Sequence, residues 1–165
     1  AHSSITKAMA ITGIGRDRLI AVKTLPGRTA VDPDALRGAL AAHAGPAVVV
    51  ASAGEVNTGD FDDLQALAEI CAAHDAWLHV DGAFGLFAAF VPELAPRIAG
   101  IERADSVTVD LHKWLNVPYD SAIAYTRRPD LQREVFAATS AYLGDDPDAL
   151  TVQDAFGGSH PYPLR

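Results

Sequence analysis

Residues 106–120 read SVTVDLHKWLNVPYD, a strand-like stretch that runs directly into a polar segment containing Lys113. The stretch at 106–110 is short and rich in β-branched residues, as strands are. A lysine just past a strand end, between a histidine and a tryptophan, suits an amine that forms an imine, because desolvation or nearby positive charge keeps such an amine neutral. The alternative interpretation is a surface lysine that pairs with Asp110 or Asp120.

A second strand, predicted over residues 77–81, ends in a carboxylate that could serve a cofactor. An ionised Asp81 against a pyridine nitrogen would keep that nitrogen protonated, and the small residues Gly82 and Ala83 would let a flat ring approach closely. A Schiff-base lysine with such an acid is the minimal contribution of a protein to pyridoxal 5′-phosphate (PLP) chemistry. The sequence therefore predicts PLP as the cofactor, with Lys113 and Asp81 as catalytic residues. The alternative for Asp81 is a plain turn or helix cap.

The order of the predicted elements indicates an α/β fold with a mostly parallel sheet and helices on both faces. Strands are predicted at residues 18–24, 47–52, 77–81, 106–110 and 122–126, and helices at 6–12, 35–43, 62–74, 93–98 and 133–140, with Asp32, Asp62 and Asp63 as helix caps. In such sheets ligands bind beyond the carboxyl ends of the strands. Three predicted strands end in polar side chains, Ser52, Asp81 and Asp110, so we expect these ends to form one site.

Three histidines accompany the predicted strand ends. His2 could stack on the cofactor ring on the side opposite Ala83. His112 could contact a phosphate or orient Lys113. His79, inside its strand, is more typical of a buried, hydrogen-bonded histidine than of a catalyst.

A metal site is a competing interpretation of the same strand ends. His79 with Asp81, and Asp110 with His112, could together supply four metal ligands and make the protein a metal-dependent hydrolase. This hypothesis leaves Lys113 without a role.

The bulk composition excludes several classes of function for a chain whose 165 residues fit a single domain. The net charge of −8 argues against a nucleic-acid binder, which would carry a basic face. No apolar run reaches the roughly 18 residues of a membrane span, and no signal peptide is visible. The single cysteine, Cys71, is typical of a buried thiol in a reducing compartment, so we expect a cytoplasmic protein.

The sequence also resembles a known family, the group II PLP-dependent amino-acid decarboxylases of fold type I, which act on aromatic amino acids, histidine or glutamate. The matching stretches are residues 1–8 (AHSSITKA), 77–85 (WLHVDGAFG) and 104–115 (ADSVTVDLHKWL). The order and spacing of these stretches agree with the family from residue 1 to about 145, which corresponds to the middle of a family member.

The resemblance implies a role for each matching position. Lys113 would hold PLP as a Schiff base, and Asp81 would pair with the pyridine nitrogen. His2, the third expected catalytic residue beside Lys113 and Asp81, would stack on one face of the ring, and Ala83 would line the other. His112 would lie near the phosphate.

Other positions follow the family less closely. The loop at residues 56–58 matches a region in which a threonine contacts the cofactor, and Thr58 is the threonine present here. Gly82 stands where many members have alanine. The family's catalytic-loop tyrosine has two candidates, Tyr142 and Tyr162.

The resemblance implies PLP-dependent decarboxylation of an L-amino acid to an amine and CO₂ by a homodimer. An aldehyde synthase or an aminotransferase is the alternative within the fold type. Residues 1–145 would be part of the PLP-binding large domain, and residues 146–165 an exposed loop that begins the mobile catalytic-loop region. An upstream segment and a C-terminal small domain would lie outside the sequence, so the isolated 165-residue chain is expected to be a non-catalytic fragment.

Overall fold

A computed structural model of the protein describes residues 1–136. Residues 1–125 form one compact unit. A second unit begins at Thr126, and its described part contains one helix, α5 (Pro129–Phe136). The predicted loop at 146–165 and the tyrosines 142 and 162 lie outside the described residues.

A four-stranded sheet forms the centre of the first unit. Its strands are β1 (Val48–Ser52), β2 (Trp77–Asp81), β3 (Ser106–Asp110) and β4 (Ala122–Thr126). They lie side by side in chain order, and β1, β2 and β3 are parallel to one another. The predicted α/β fold with a mostly parallel sheet is confirmed. In the register of the sheet, Asp81 lies between Ser52 on one side and Thr108 on the other, and Asp110 lies two residues beyond Thr108. The three polar strand ends line one cavity, as expected.

Four helices accompany the sheet in the first unit. They are α1 (Ser3–Ile11), α2 (Pro33–Ala42), α3 (Leu64–Ala73) and α4 (Leu111–Trp114). The side chain of Asp32 accepts a hydrogen bond from the Asp34 N–H at 2.9 Å and caps α2 as predicted. Asp63 caps α3 in the same way, accepting from the Ala66 N–H at 3.0 Å. Among residues 1–136 no helix is long and apolar enough to cross a membrane.

The core lies between α3 and the first two strands. Leu64, Leu67, Leu78 and Val80 are at most 1% exposed. The thiol of Cys71 belongs to this core, and burial raises its pKa to about 11, so it is an unreactive thiol as predicted. By contrast, β4 exposes most of its residues within the described part of the chain.

Two predicted elements were wrong. Residues 18–24 do not form a strand, because this stretch finds no neighbouring strand and makes only one isolated bridge, between Thr24 and Val31. Residues 93–98 form only a short 3₁₀ turn, Ala95–Ile98. It cannot extend through Gly100, which has a φ of +93° and where an added Cβ would lie 2.5 Å from the backbone nitrogen of Gln65.

Candidate functional site

The carboxyl ends of β1, β2 and β3 border a cavity of about 560 Å³. Four of the six predicted site residues line it, namely His2, Asp81, Ala83 and Lys113. The others that line it are Ser4, Ile5, Ala8, Ser52, Gly54, Glu55, Val56, His79, Phe84, Thr108, Asp110, Ala122, Ile123 and Ala124. The structure therefore brings together predicted site residues that are up to 111 positions apart in the chain, from His2 to Lys113.

Lys113 reaches the cavity because α4 begins immediately after β3 ends. Its Nζ lies 2.5 Å from Oδ2 of Asp110 and 4.3 Å from the centre of the Phe84 ring. The lysine side chain is 24% exposed, so its amine is partly shielded from water. The structure thus shows the pairing with Asp110, which the sequence offered as the alternative to a reactive lysine, and both residues line the cavity. The imine-forming role of Lys113 stays a prediction.

Asp81 is the last residue of β2 and is half-buried. Its Oδ1 accepts a hydrogen bond from the Ala83 N–H at 3.1 Å, which fixes the carboxylate relative to the turn that follows. A carboxylate has about four acceptor positions, so this contact leaves capacity for an N–H group of a ligand.

A hydrogen-bonded chain fixes His79, which lies two residues before Asp81 on β2. The indole N–H of Trp77 donates to Ser106 Oγ at 2.8 Å, and this oxygen lies 2.8 Å from His79 Nδ1. Burial lowers the pKa of His79, and the nearby Asp81 opposes this shift only in part. A neutral His79 that accepts the Ser106 hydroxyl proton at Nδ1 satisfies all three side chains. This agrees with the prediction of a buried, hydrogen-bonded histidine.

His2 lies at the start of α1, where its Nδ1 accepts a hydrogen bond from the Ser4 N–H at 3.2 Å. The helix cap therefore orients the imidazole at the wall of the cavity, although α1 itself has no buried residue.

The structure does not bring His112 or Thr58 to the cavity lining within the described residues. The His112 Nδ1 lies 2.8 Å from the Ser121 carbonyl oxygen, and its ring packs on Tyr119 with centroids 4.0 Å apart. The hydroxyl of Thr58 donates to Glu55 at 2.7 Å. The roles of His112 and Thr58 stay predictions.

The loop after β1 instead contributes Gly54, Glu55 and Val56 to the lining. Hydrogen bonds from Thr58 lower the pKa of Glu55. Thr58 therefore holds an ionised carboxylate in this loop.

The geometry does not support the metal site. Within residues 1–136 no three His, Cys, Asp or Glu side chains are grouped so that they could hold a metal ion. Two of the four proposed ligands have other partners at Nδ1. The Nδ1 of His79 contacts the Ser106 hydroxyl, and the Nδ1 of His112 contacts the Ser121 carbonyl oxygen.

Sequence reasoning missed Asp62, which holds the loop after β1 in place. The sequence predicts it as a helix cap, but it is 6% exposed and accepts hydrogen bonds from the N–H groups of Val31 and Ser52, both at 2.6 Å. Burial raises its pKa. No local pattern signals this role, because Val31 lies 31 residues away.

The loops after β1 and β2 interlock at Gly85. Its N–H donates to the Ala53 carbonyl oxygen at 2.9 Å, and a Cβ at Gly85 would lie 2.3 Å from the same oxygen. Its φ of −94° is open to any residue, so the requirement for glycine is steric. This contact fixes Asp81 and Ala83 relative to the β1 loop.

We expect Gly85→Ala to destabilise the full-length protein by about 1–3 kcal/mol, because the backbone of one loop must move. The midpoint of urea unfolding measures this change. The matched control is Gly38→Ala in α2, where a Cβ meets nothing within 4 Å. This substitution should instead stabilise by about 0.5–1 kcal/mol. Equal midpoints for the two variants would contradict the proposed contact.

The side chains of the cavity fit PLP. The amine of Lys113 can bond to an aldehyde, and the carboxylate of Asp81 has acceptor capacity for a pyridine N–H. Ala83 presents only a methyl group, and His2 presents a flat ring. The chain thus supplies an amine, an acid and the two kinds of surface that enclose a flat aromatic ring.

Comparison with known proteins gives three further observations. The family model described as "Pyridoxal-dependent decarboxylase conserved domain" matches residues 1–156. The L-2,4-diaminobutyrate decarboxylase of Rhizobium meliloti (strain 1021) is 36% identical over 166 residues, covering 98% of this chain and 31% of the relative. The aromatic-L-amino-acid decarboxylase of Sus scrofa is 39% identical over 138 residues, covering 79% of this chain and 27% of the relative.

Solved structures agree with these matches. The crystal structure of mouse CSAD superimposes with a TM-score of 0.81 at 31% identity, covering 93% of this chain and 33% of the mouse chain. Among the first curated relatives the chain spans between 18% and 31% of their length.

Proposed function

Because the chain belongs to the pyridoxal-dependent decarboxylase family, we propose that the full-length protein decarboxylates an L-amino acid to an amine and CO₂ with PLP as cofactor. One observation carries this proposal, the cavity in which Lys113, Asp81, Ala83 and His2 meet at the carboxyl edge of the sheet. The residues of the chain match what the cofactor requires, and the fold alone would not specify the reaction.

PLP, when bound, supplies an electron sink for the electron pair left on Cα as the carboxylate of the substrate departs. Lys113 would hold the cofactor through Nζ, the position that the amine of the substrate would take. Asp81 would hold a proton on the pyridine nitrogen. His79, kept neutral by burial, adds no positive charge that would compete for the Asp81 carboxylate.

The remaining contacts position the ring. Ala83 and His2 are proposed to lie against opposite faces, which would hold it in one plane. His112 and Thr58 are proposed to act near the phosphate and near the cofactor, respectively, as the family resemblance implies. In the structure the His112 ring contacts the Ser121 carbonyl oxygen, and the Thr58 hydroxyl donates to Glu55.

We further propose a cytoplasmic homodimer. The single buried thiol, Cys71, supports a reducing compartment. Large apolar side chains are exposed in the first unit. Their exposure supports the idea that a second subunit, or another part of the full-length protein, covers them. Those more than 60% exposed include Ile11, Ile20, Val48, Phe90, Trp114 and Tyr119. Residues 1–145 would belong to the large PLP-binding domain, and residues 146–165 would begin the catalytic-loop region.

A substrate screen with the full-length protein tests the reaction. The twenty proteinogenic amino acids, dihydroxyphenylalanine and 2,4-diaminobutyrate are supplied one at a time, and CO₂, amine, aldehyde and hydrogen peroxide are measured together. We expect at least one substrate to give amine and CO₂ in equal amounts. Aldehyde with peroxide would identify an aldehyde synthase. A keto acid without CO₂ would identify an aminotransferase and contradict decarboxylation.

A further inference from the structure

The amine of Lys113 has two partners on two different strand ends. Asp110, the last residue of β3, places Oδ2 at 2.5 Å from Nζ. Phe84, in the turn after β2, places the centre of its ring at 4.3 Å from the same nitrogen. A carboxylate and an aromatic face both attract an ammonium group. The two groups together form a site for a charged lysine.

We propose that Asp110 and Phe84 form a resting site for the Lys113 amine, occupied whenever this amine is not bonded to the cofactor. This inference rests on the proposed function, because only a lysine that is bonded and released during turnover needs such a site. Asp110 and Phe84 are then positioning residues that act through Lys113.

The chemistry of the exchange explains what the resting site does. Replacement of Lys113 by an amino acid would exchange the carbon–nitrogen double bond to Nζ for one to the incoming nitrogen. With the imine protonated before and after, the amino acid would enter as an ammonium and Lys113 would leave as one, so two protons would pass from the incoming nitrogen to Nζ and no other reactant would be needed. Asp110 and Phe84 would then hold the charged Nζ in the cavity.

Both partners of the amine lie on segments with defined neighbours. Asp110 is the last residue of β3, and its Oδ2 also lies 3.8 Å from Nε2 of His112. Phe84 follows Ala83 and precedes Gly85, so the interlocked loops hold it. The resting place of Nζ is thereby fixed relative to Asp81, which lies on the same turn as Phe84.

The test measures the chemical reactivity of Lys113 in the cofactor-free, full-length protein. Acetic anhydride acylates only neutral amines, and peptide mapping gives the rate at each lysine at one fixed, neutral pH. We expect Lys113 to be acylated about tenfold faster in Asp110→Asn than in the parent, because the amine loses its charge-assisted contact with the carboxylate and is no longer held at the resting site. Asp110→Glu should return the rate toward that of the parent.

Lys7 and Lys23 serve as internal references, and Asp120→Asn as the control for loss of one acidic charge in the same exposed segment. All three lysines should keep their parental rates in Asp120→Asn. An unchanged Lys113 rate in Asp110→Asn, with Lys7 and Lys23 also unchanged, would overturn the resting site. A borohydride label on a lysine other than Lys113 would instead refute the proposed function and leave the acylation result standing.

If Asp110→Asn fails to fold, the acylation rates of all three lysines should rise together. Phe84→Leu then provides an independent test. This variant keeps an apolar side chain but removes the aromatic face, so Lys113 should react about threefold faster. A parental Lys113 rate in Phe84→Leu would remove the ring from the resting site. If Asp110→Asn misfolds and Lys113 also keeps its parental rate in Phe84→Leu, the proposal as a whole is contradicted.

Discussion

Lys113→Arg in the full-length protein is expected to lower decarboxylation by at least about 10³-fold, the scale on which loss of a reacting group acts. Arginine keeps the positive charge that faces Asp110 and Phe84, so the electrostatics of the cavity change little. A guanidinium cannot take the place of the amine that bonds to the aldehyde. CO₂ release measures the loss, and borohydride reduction followed by peptide mapping measures the covalent cofactor.

The matched controls are Lys7→Arg and Lys23→Arg, the other two lysines of the chain. Both variants should retain parental activity and a reduced cofactor on Lys113. A cofactor label on Lys7 or Lys23 in the parent protein would show that the wrong lysine had been assigned. A fully active Lys113→Arg variant would contradict the whole proposed mechanism.

Asp81→Asn is expected to lower the turnover number by about 10²–10³-fold or more, the usual effect of removing one electrostatic contact to a reacting centre. The amide has nearly the shape of the carboxylate and can still accept from the Ala83 N–H, so the fold should persist. It carries no negative charge and cannot hold the proton on the pyridine nitrogen. Borohydride should therefore still attach the cofactor to Lys113 in a protein that hardly turns over.

Asp75→Asn is the control for this substitution. Asp75 is exposed, lies just before β2 and has a φ of +51°, a conformation that asparagine adopts at least as readily as aspartate. Its activity should equal that of the parent. Parental turnover in Asp81→Asn would remove Asp81 from the mechanism and would leave Lys113 as the only supported catalytic residue.

Local patterns in the sequence predicted the strand ends and several caps because these depend on neighbouring residues. The strands at Trp77–Asp81, Ser106–Asp110 and Ala122–Thr126 agree with the prediction residue for residue. Asp32 before a proline predicted the start of α2, because proline suits the first turn of a helix and aspartate accepts its free N–H groups. The position of Lys113 just after β3 followed from the same local reasoning.

Local patterns failed where a segment depends on a distant partner. Residues 18–24 have the composition of a strand, but a strand forms only when another strand offers its N–H and C=O groups, and here only Thr24 and Val31 pair. The apolar side chains Leu19 and Ile20 are accordingly 41% and 62% exposed. Their composition alone cannot distinguish a paired strand from an extended segment.

The sequence by itself determined the α/β class, the strand ends and the chemical types gathered at them, because side-chain periodicity and turn residues act over a few positions. Only the tertiary structure decided which groups meet. Phe84 comes to Lys113, Ser106 to His79 and Asp62 to Val31 through packing between segments that are 27 to 31 residues apart. Such contacts depend on the register of the sheet and on the close approach of two loops at Gly85, which no short stretch of sequence encodes.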